Sequence, residues 1–230
     1  MLLFLSILIS YIPDQEYKEN GNDDIKEIFI GFKENFTNIK LRISLLFTIV
    51  VNIAMLGFNA TIIFYLQDQL KLSNSLVGIV YSIAGFGSLI AVTLLSTFLN
   101  KKDTFILMNI SMATIPLVIM ASGIVENWIF FGICYSILSG LITIASVSIT
   151  TIQQQESTEY NIGKILSSSF VIATIFAPFG GILAAYFNWL LNPRLSLVIL
   201  GLLSSLLVIL IKSYEKKLAK KRTAIFIKED

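Results

Sequence analysis

Uncharged hydrogen-bonding side chains, set inside long apolar runs, are the residues of this sequence best placed to do chemistry. Asn52 and Asn59 lie seven apart, hence on one face of a helix, with Met55 between them. Gly132, Ser136, Ser139, Thr143, Ser146 and Thr150 follow steps of four and three, which is again one helical face. An Asn turned toward hydrocarbon would strand several hydrogen-bonding groups, so Asn52 and Asn59 must face protein or a wet cavity. Two roles fit such residues. One is hydrogen bonding between helices, worth about 0.6 kcal/mol per contact on average. The other is the lining of a weakly polar surface for a solute. The Ser and Thr hydroxyls can also bond their own helix backbone. Acid–base, nucleophilic and metal chemistry find little to use. The chain has no histidine, and its single cysteine, Cys134, sits in an apolar run as a small buried hydrophobe would. No acid, base, thiolate pair or metal-ligand cluster falls at membrane depth, so neither an enzyme nor a cofactor is expected.

The elements that carry these residues follow from composition. Of 230 residues 55% are hydrophobic and only 14% charged, against roughly 25% charged in a soluble domain. Mean hydropathy is +0.80. Six runs contain no Asp, Glu, Lys or Arg: 43–66, 75–99, 104–122, 128–152, 165–187 and 195–211. About 20 apolar residues as helix cross a hydrocarbon core of ~30 Å. A soluble helical protein would instead show charged faces at helical period. The fold class expected is an all-α membrane protein with six transmembrane helices. Nucleic acid is not an expected partner, because the basic residues are mostly Lys at chain ends with no aromatic interleaving.

Charge in the connections sets the orientation. Fifteen of the 17 Lys and Arg fall in 11–42, 100–103, 153–164 and the tail from 212, and two in the alternate connections. The positive-inside rule then places the long first connection and the C-terminus in the cytoplasm. Trp128 and Trp189 fall at span ends on the other side, as interfacial anchors do. The domain plan has four parts: 1–12, the end of a truncated transmembrane helix; 13–42, a cytoplasmic connection; 43–211, a six-helix bundle; and 212–230, a basic cytoplasmic tail. Within the connection, Ile25, Ile28, Phe29, Phe32 and Phe36 recur at three-to-four-residue spacing with Lys26, Glu27, Lys33 and Glu34 between them. This predicts an amphipathic helix lying on the membrane face. Small residues predict close helix packing in two spans. They are Gly78, Ser82, Gly85, Ser88 and Ala91 in the second span, and Ser169, Ala173, Ala177, Gly181 and Ala185 in the fifth.

A partial helix, a long charged connection and six spans ending in a basic tail resemble the second half of a major facilitator superfamily transporter. The turn Asn100-Lys101-Lys102-Asp103 stands where that family has a short basic loop, although residues 96–99 replace its usual glycine and acidic residue. Gln153-Gln154-Gln155-Glu156, followed by Tyr160-Asn161-Ile162-Gly163-Lys164-Ile165, is similar to the connection before the eleventh helix of bacterial macrolide-efflux-type exporters. Ala177-Pro178-Phe179-Gly180-Gly181 resembles their Pro-Gly patch.

The resemblance implies a bundle of two inverted three-helix repeats in a bacterial plasma membrane. The first and fourth spans would line a cavity, the second and fifth would meet the other half, and the third and sixth would face lipid. Substrate-lining candidates are then Asn52, Met55, Asn59, Tyr135, Ser139 and Thr143, with Tyr81 from the second span. Partners are the bilayer, a small-molecule substrate, and an N-terminal six-helix half or a second copy of this chain. No span holds a carboxylate for proton coupling or a cation for an anionic substrate. The expected activity is efflux of an apolar or amphiphilic solute. The alternative is a truncated or degenerate membrane protein that transports nothing, or a scaffold.

Overall fold

The computed structural model describes residues 21–98 and 104–229. The expected partial helix at 1–12 and the basic turn at 100–103 lie outside the described residues. The described chain forms seven α-helices: α1 (Gly21–Thr37), α2 (Ile39–Phe64, continued by a π-helical turn, Tyr65–Gln69), α3 (Asn74–Phe98), α4 (Thr104–Ile124), α5 (Trp128–Gln155), α6 (Ile162–Leu190) and α7 (Pro193–Glu229). From α2 onward each is long and apolar enough to cross a membrane. The molecule is an all-α, multi-pass membrane protein.

Asparagines start three of these helices. The side-chain oxygens of Asn38, Asn127 and Asn192 accept hydrogen bonds from the backbone N–H of Lys40, Ile129 and Leu195 at 2.9, 2.8 and 2.8 Å. Each satisfies a donor that the first helical turn leaves open. Pro193, first in α7, needs no such partner. α2 begins at Ile39, ahead of the charge-free run, because Lys40 and Arg42 are barred from hydrocarbon but not from helix. α7 likewise runs on past residue 211 into the basic tail.

The bundle is built twice over. α3 packs most extensively on α5, and α2 on α6; α4 packs on α5 and on α7, and α7 on α2. Exchanging α2, α3 and α4 for α5, α6 and α7 leaves this pattern unchanged. Successive spans run in opposite directions, so the exchange pairs helices that cross the membrane in opposite senses, as a pseudo-two-fold axis lying in the membrane plane would. The closest crossings repeat as well. A Cβ on Gly87 of α3 would lie 2.0 Å from the carbonyl oxygen of Ser136 in α5, and one on Gly180 of α6 would lie 2.0 Å from that of Ile53 in α2. Four residues beyond those carbonyls, Gly140 and Gly57 face the Gly87 and Gly180 oxygens, each with a Cβ position 3.1 Å away. Backbones meet here because no side chain intervenes, which is how helices associate where lipid offers no hydrophobic drive.

The small-residue stripes expected from sequence coincide with these faces only in part. In α6, Ser169, Ala173 and Ala177 are buried, but Gly181 is half-buried and Ala185 exposed; the contact face passes through Gly180 and Ala184. In α3, Gly78, Ser82 and Gly85 are exposed, Ser88 is half-buried, and the packed face is Val80, Ala84, Gly87 and Ala91. The reason is geometric. At 3.6 residues per turn, steps of four drift by about 40° each, and runs of threes drift the other way. A face that stays put alternates the two.

α1 is helical as expected, with Phe32 half-buried and the outer two phenylalanines turned away from the bundle. Phe29 and Phe36 are exposed, while Gly31 and Asn35 are buried against the start of α6. Asn35 Nδ2 donates to the Ile165 carbonyl at 3.0 Å and to Ser168 Oγ at 2.8 Å, and its Oδ1 accepts from Ser169 Oγ at 3.1 Å. Two carboxylates extend the contact. Glu34 accepts from Asn161 Nδ2 at 2.6 Å. Glu156 accepts from Asn38 Nδ2 at 3.2 Å and from Lys40 Nζ at 2.6 Å. Partial burial pushes the Glu156 carboxyl up, but the hydrogen bonds from Lys40 and Asn38 and the lysine charge outweigh it and hold Glu156 below the usual carboxylate range. A carboxylate depressed in the folded state stabilises most above its unfolded value of ~4.3, and the contribution is lost as pH falls through the lower folded value. Protection from hydrogen exchange at the α1–α2 junction around Asn38 and Lys40, corrected for the intrinsic slowing of exchange in acid, is therefore expected to fall over that acid window, and a Glu156→Gln chain to lose this pH step.

Candidate functional site

Two polar zones lie along the bundle, one nearer the α1 end and one nearer the opposite end. The first is a cleft of about 340 Å³ between α2, α5 and α6. Its polar wall is Thr48 and Asn52 from α2, Ser146, Thr150 and Gln153 from α5, and Ser169 from α6; Val51, Ile149, Leu166 and Phe170 supply apolar surface. The Asn52 amide donates to the Thr48 carbonyl one turn back at 2.8 Å. Gln153 is only 4% exposed, and its Nε2 has no hydrogen-bond partner among the described residues. An unpaired buried amide costs about 1–3 kcal/mol, and this one sits at the wall of the cleft with almost no accessible surface of its own. Every polar lining group is a neutral donor or acceptor. The cleft can therefore orient a solute by hydrogen bonds without a demand for charge.

The second zone is aromatic. Tyr135 is buried, with its ring 5.1 Å from Phe58 and 5.6 Å, edge-on, from Tyr81. Phe131 stacks on Tyr65 at 5.0 Å and on Phe58 at 6.3 Å. The Tyr135 hydroxyl points at Asn59 Oδ1, 3.4 Å away, and the Tyr65 hydroxyl donates to the Val125 carbonyl. These rings tie α2 to α5 near the opposite end, and Tyr81 reaches the same group from α3 with much of its side chain exposed.

The seven residues expected from sequence are thus divided. Asn59, Tyr135 and Tyr81 come together in the aromatic zone. Asn52 belongs to the cleft, about two helical turns away, and half-buried Met55 lies on α2 between the two. Ser139 and Thr143 enter neither. Ser139 Oγ shares a hydrogen bond with Ser88 beside the Gly87–Gly140 crossing, and Thr143 Oγ1 donates to the Ser139 carbonyl at 2.9 Å. Their hydroxyls are spent on packing α3 against α5 and on the helix itself. Of the polar cleft residues, sequence reasoning missed Thr48 and also Gln153. The latter opens the run Gln153-Gln154-Gln155, which reads as a connection, yet α5 stays helical to Gln155 and turns Gln153 inward.

α2 is the interior helix: 56% of its most apolar window is buried, against 22% for α3 and 28% for α6. The last two therefore turn most of their surface outward, with Phe86 and Leu89 on α3 and Phe170 and Phe179 on α6 exposed. No family model matches the sequence, and no curated protein matches it.

Proposed function

We propose that this chain is the C-terminal six-helix half of a major-facilitator-type secondary transporter that exports a small apolar or amphiphilic solute. The observation that carries the reading is the cleft where α2 of one triplet meets α5 and α6 of the other, lined by neutral amides and hydroxyls with the Gln153 amide left unpaired. Transporters built from inverted repeats bind at the repeat interface and work by rocking one bundle against another. A neutral lining matches a solute held by hydrogen bonds and apolar contact. The outward faces of α3 and α6 would meet an N-terminal six-helix half or a second copy. The basic connections would put the α1 end in the cytoplasm of a plasma membrane.

The test is binding first and flux second. In nanodiscs, a neutral amphiphilic fluorescent dye should bind the native chain. Asn52→Leu or Gln153→Leu should each weaken it about three- to tenfold, the worth of one hydrogen bond, while Thr114→Val, on an outer face of α4, should not. In vesicles, dye efflux should depend on this chain together with a six-helix partner half. Binding without flux in any pairing would favour the scaffold reading, and no binding at all would remove the transport reading.

A further inference from the structure

A second groove lies on the outside of the bundle, between α4 and α7. The two helices touch where Gly201 meets the Pro116 carbonyl; a Cβ there would stand 2.8 Å from that oxygen. Past this contact, toward the α1 end, they leave a furrow of about 350 Å³. Its floor is kept low by Ala113, Pro116 and Ser205, Leu117 forms part of the wall, and Lys212 and Lys216 stand at its mouth. From Ser205 to Lys212 α7 rises roughly 10 Å, about two-thirds of one leaflet of a ~30 Å hydrocarbon core. Lys212 is fixed at that boundary, its ammonium 6.0 Å from the ring centres of both Phe47 and Phe105 and 3.2 Å from the Glu215 carboxylate. One of its three donors goes to Glu215, which leaves two. With Lys216 exposed beside it, the mouth carries a net positive charge even after Glu215 is counted.

We propose that this groove binds one anionic phospholipid, with the phosphate between Lys212 and Lys216 and an acyl chain along the furrow. Charge complementarity at the mouth, an apolar wall reaching well into one leaflet and an opening toward the bilayer select that occupant. The site is separate from the cleft at α2, α5 and α6 and does not depend on the transport reading.

Native mass spectrometry of the delipidated full chain, titrated with dioleoyl phosphatidylglycerol or dioleoyl phosphatidylcholine, tests it. One phosphatidylglycerol should bind roughly thirtyfold more tightly than phosphatidylcholine, as two lysines near a lipid surface imply. K212Q/K216Q should lose most of that preference, and K33Q/K217Q, which removes the same charge elsewhere, should keep it. Ser205→Leu, which fills the furrow, should weaken both lipids. Lys216→Gln alone changes only an exposed side chain and still reads the mouth if the double variant does not fold. Equal binding of the two lipids by the native chain overturns the proposal. So does an equal loss in K33Q/K217Q, or displacement of the lipid by millimolar inorganic phosphate, which would make this a site for a free anion.

Discussion

Gly180→Ala is expected to destabilise the bundle by about 3 kcal/mol, the upper end of what overpacking costs, and Gly87→Ala by a similar amount. The added methyl would sit 2.0 Å from a backbone carbonyl in each case, and backbone cannot swing aside as a side-chain tip can. Relief requires α6 to move off α2, or α3 off α5, which loosens the most extensive contact each helix makes. Gly57→Ala and Gly140→Ala should cost less, since their nearest atoms lie at 3.1 Å. Gly78→Ala and Gly85→Ala should be neutral or slightly stabilising, because nothing stands within 4 Å and Ala is the better helix former. Reversible unfolding in mixed micelles, followed by circular dichroism, ranks the six variants. A Gly85→Ala loss as large as that of Gly180→Ala would sink the crossing argument.

That ranking also bears on the inverted triplets. If Gly87–Gly140 and Gly57–Gly180 are two copies of one crossing, equivalent substitutions in either should have equal effects, though the helices share little sequence around them. Ser136 and Ile53, whose carbonyls meet the glycines, occupy the same step before Gly140 and Gly57 and have unrelated side chains. What repeats is the absence of a Cβ at one level, not a motif. The repeat is therefore plain in the packing and faint in the sequence.

How much was legible follows the same line. The six spans could be read from the exclusion of charge from hydrocarbon, a local and costly rule, and α4 and α5 begin where the charge-free runs begin, at Thr104 and Trp128. Facing directions were less secure, since they depend on small angular drifts and on the register between helices. The pairing of Tyr135 with Asn59, 76 residues apart, and the diversion of Ser139 to Ser88 both turn on that register. Gln153 was hidden by its glutamine neighbours. In α1 the conspicuous phenylalanine stripe drew attention from Gly31 and Asn35, which are buried against α6. A single buried amide among charged and aromatic neighbours gives no periodic signal.

Asn35→Leu is expected to release α1 from the bundle while leaving the spans folded. Asn35 is fully buried, and its amide joins the Ile165 carbonyl to the hydroxyls of Ser168 and Ser169, some 130 residues away in sequence. Leucine keeps the branched skeleton but is bulkier, so the loss combines unpaired partners with some crowding. Ser168 Oγ can still donate to the Ile165 carbonyl at 3.1 Å, but Ser169 loses its acceptor. Leaving such groups unpaired costs about 1–3 kcal/mol each, enough to undo the docking of one short helix. Gly31→Val should act on the same contact by a different route, since a Cβ there would lie 2.2 Å from the Lys164 carbonyl oxygen. Both variants should speed hydrogen exchange and limited proteolysis across 21–37, with the spans protected as before. Asn35→Gln, which keeps the amide but lengthens its arm, should fall between them and the native chain. Protection of α1 unchanged in Asn35→Leu would show that the exposed phenylalanines, seated in the membrane surface, hold the helix after all.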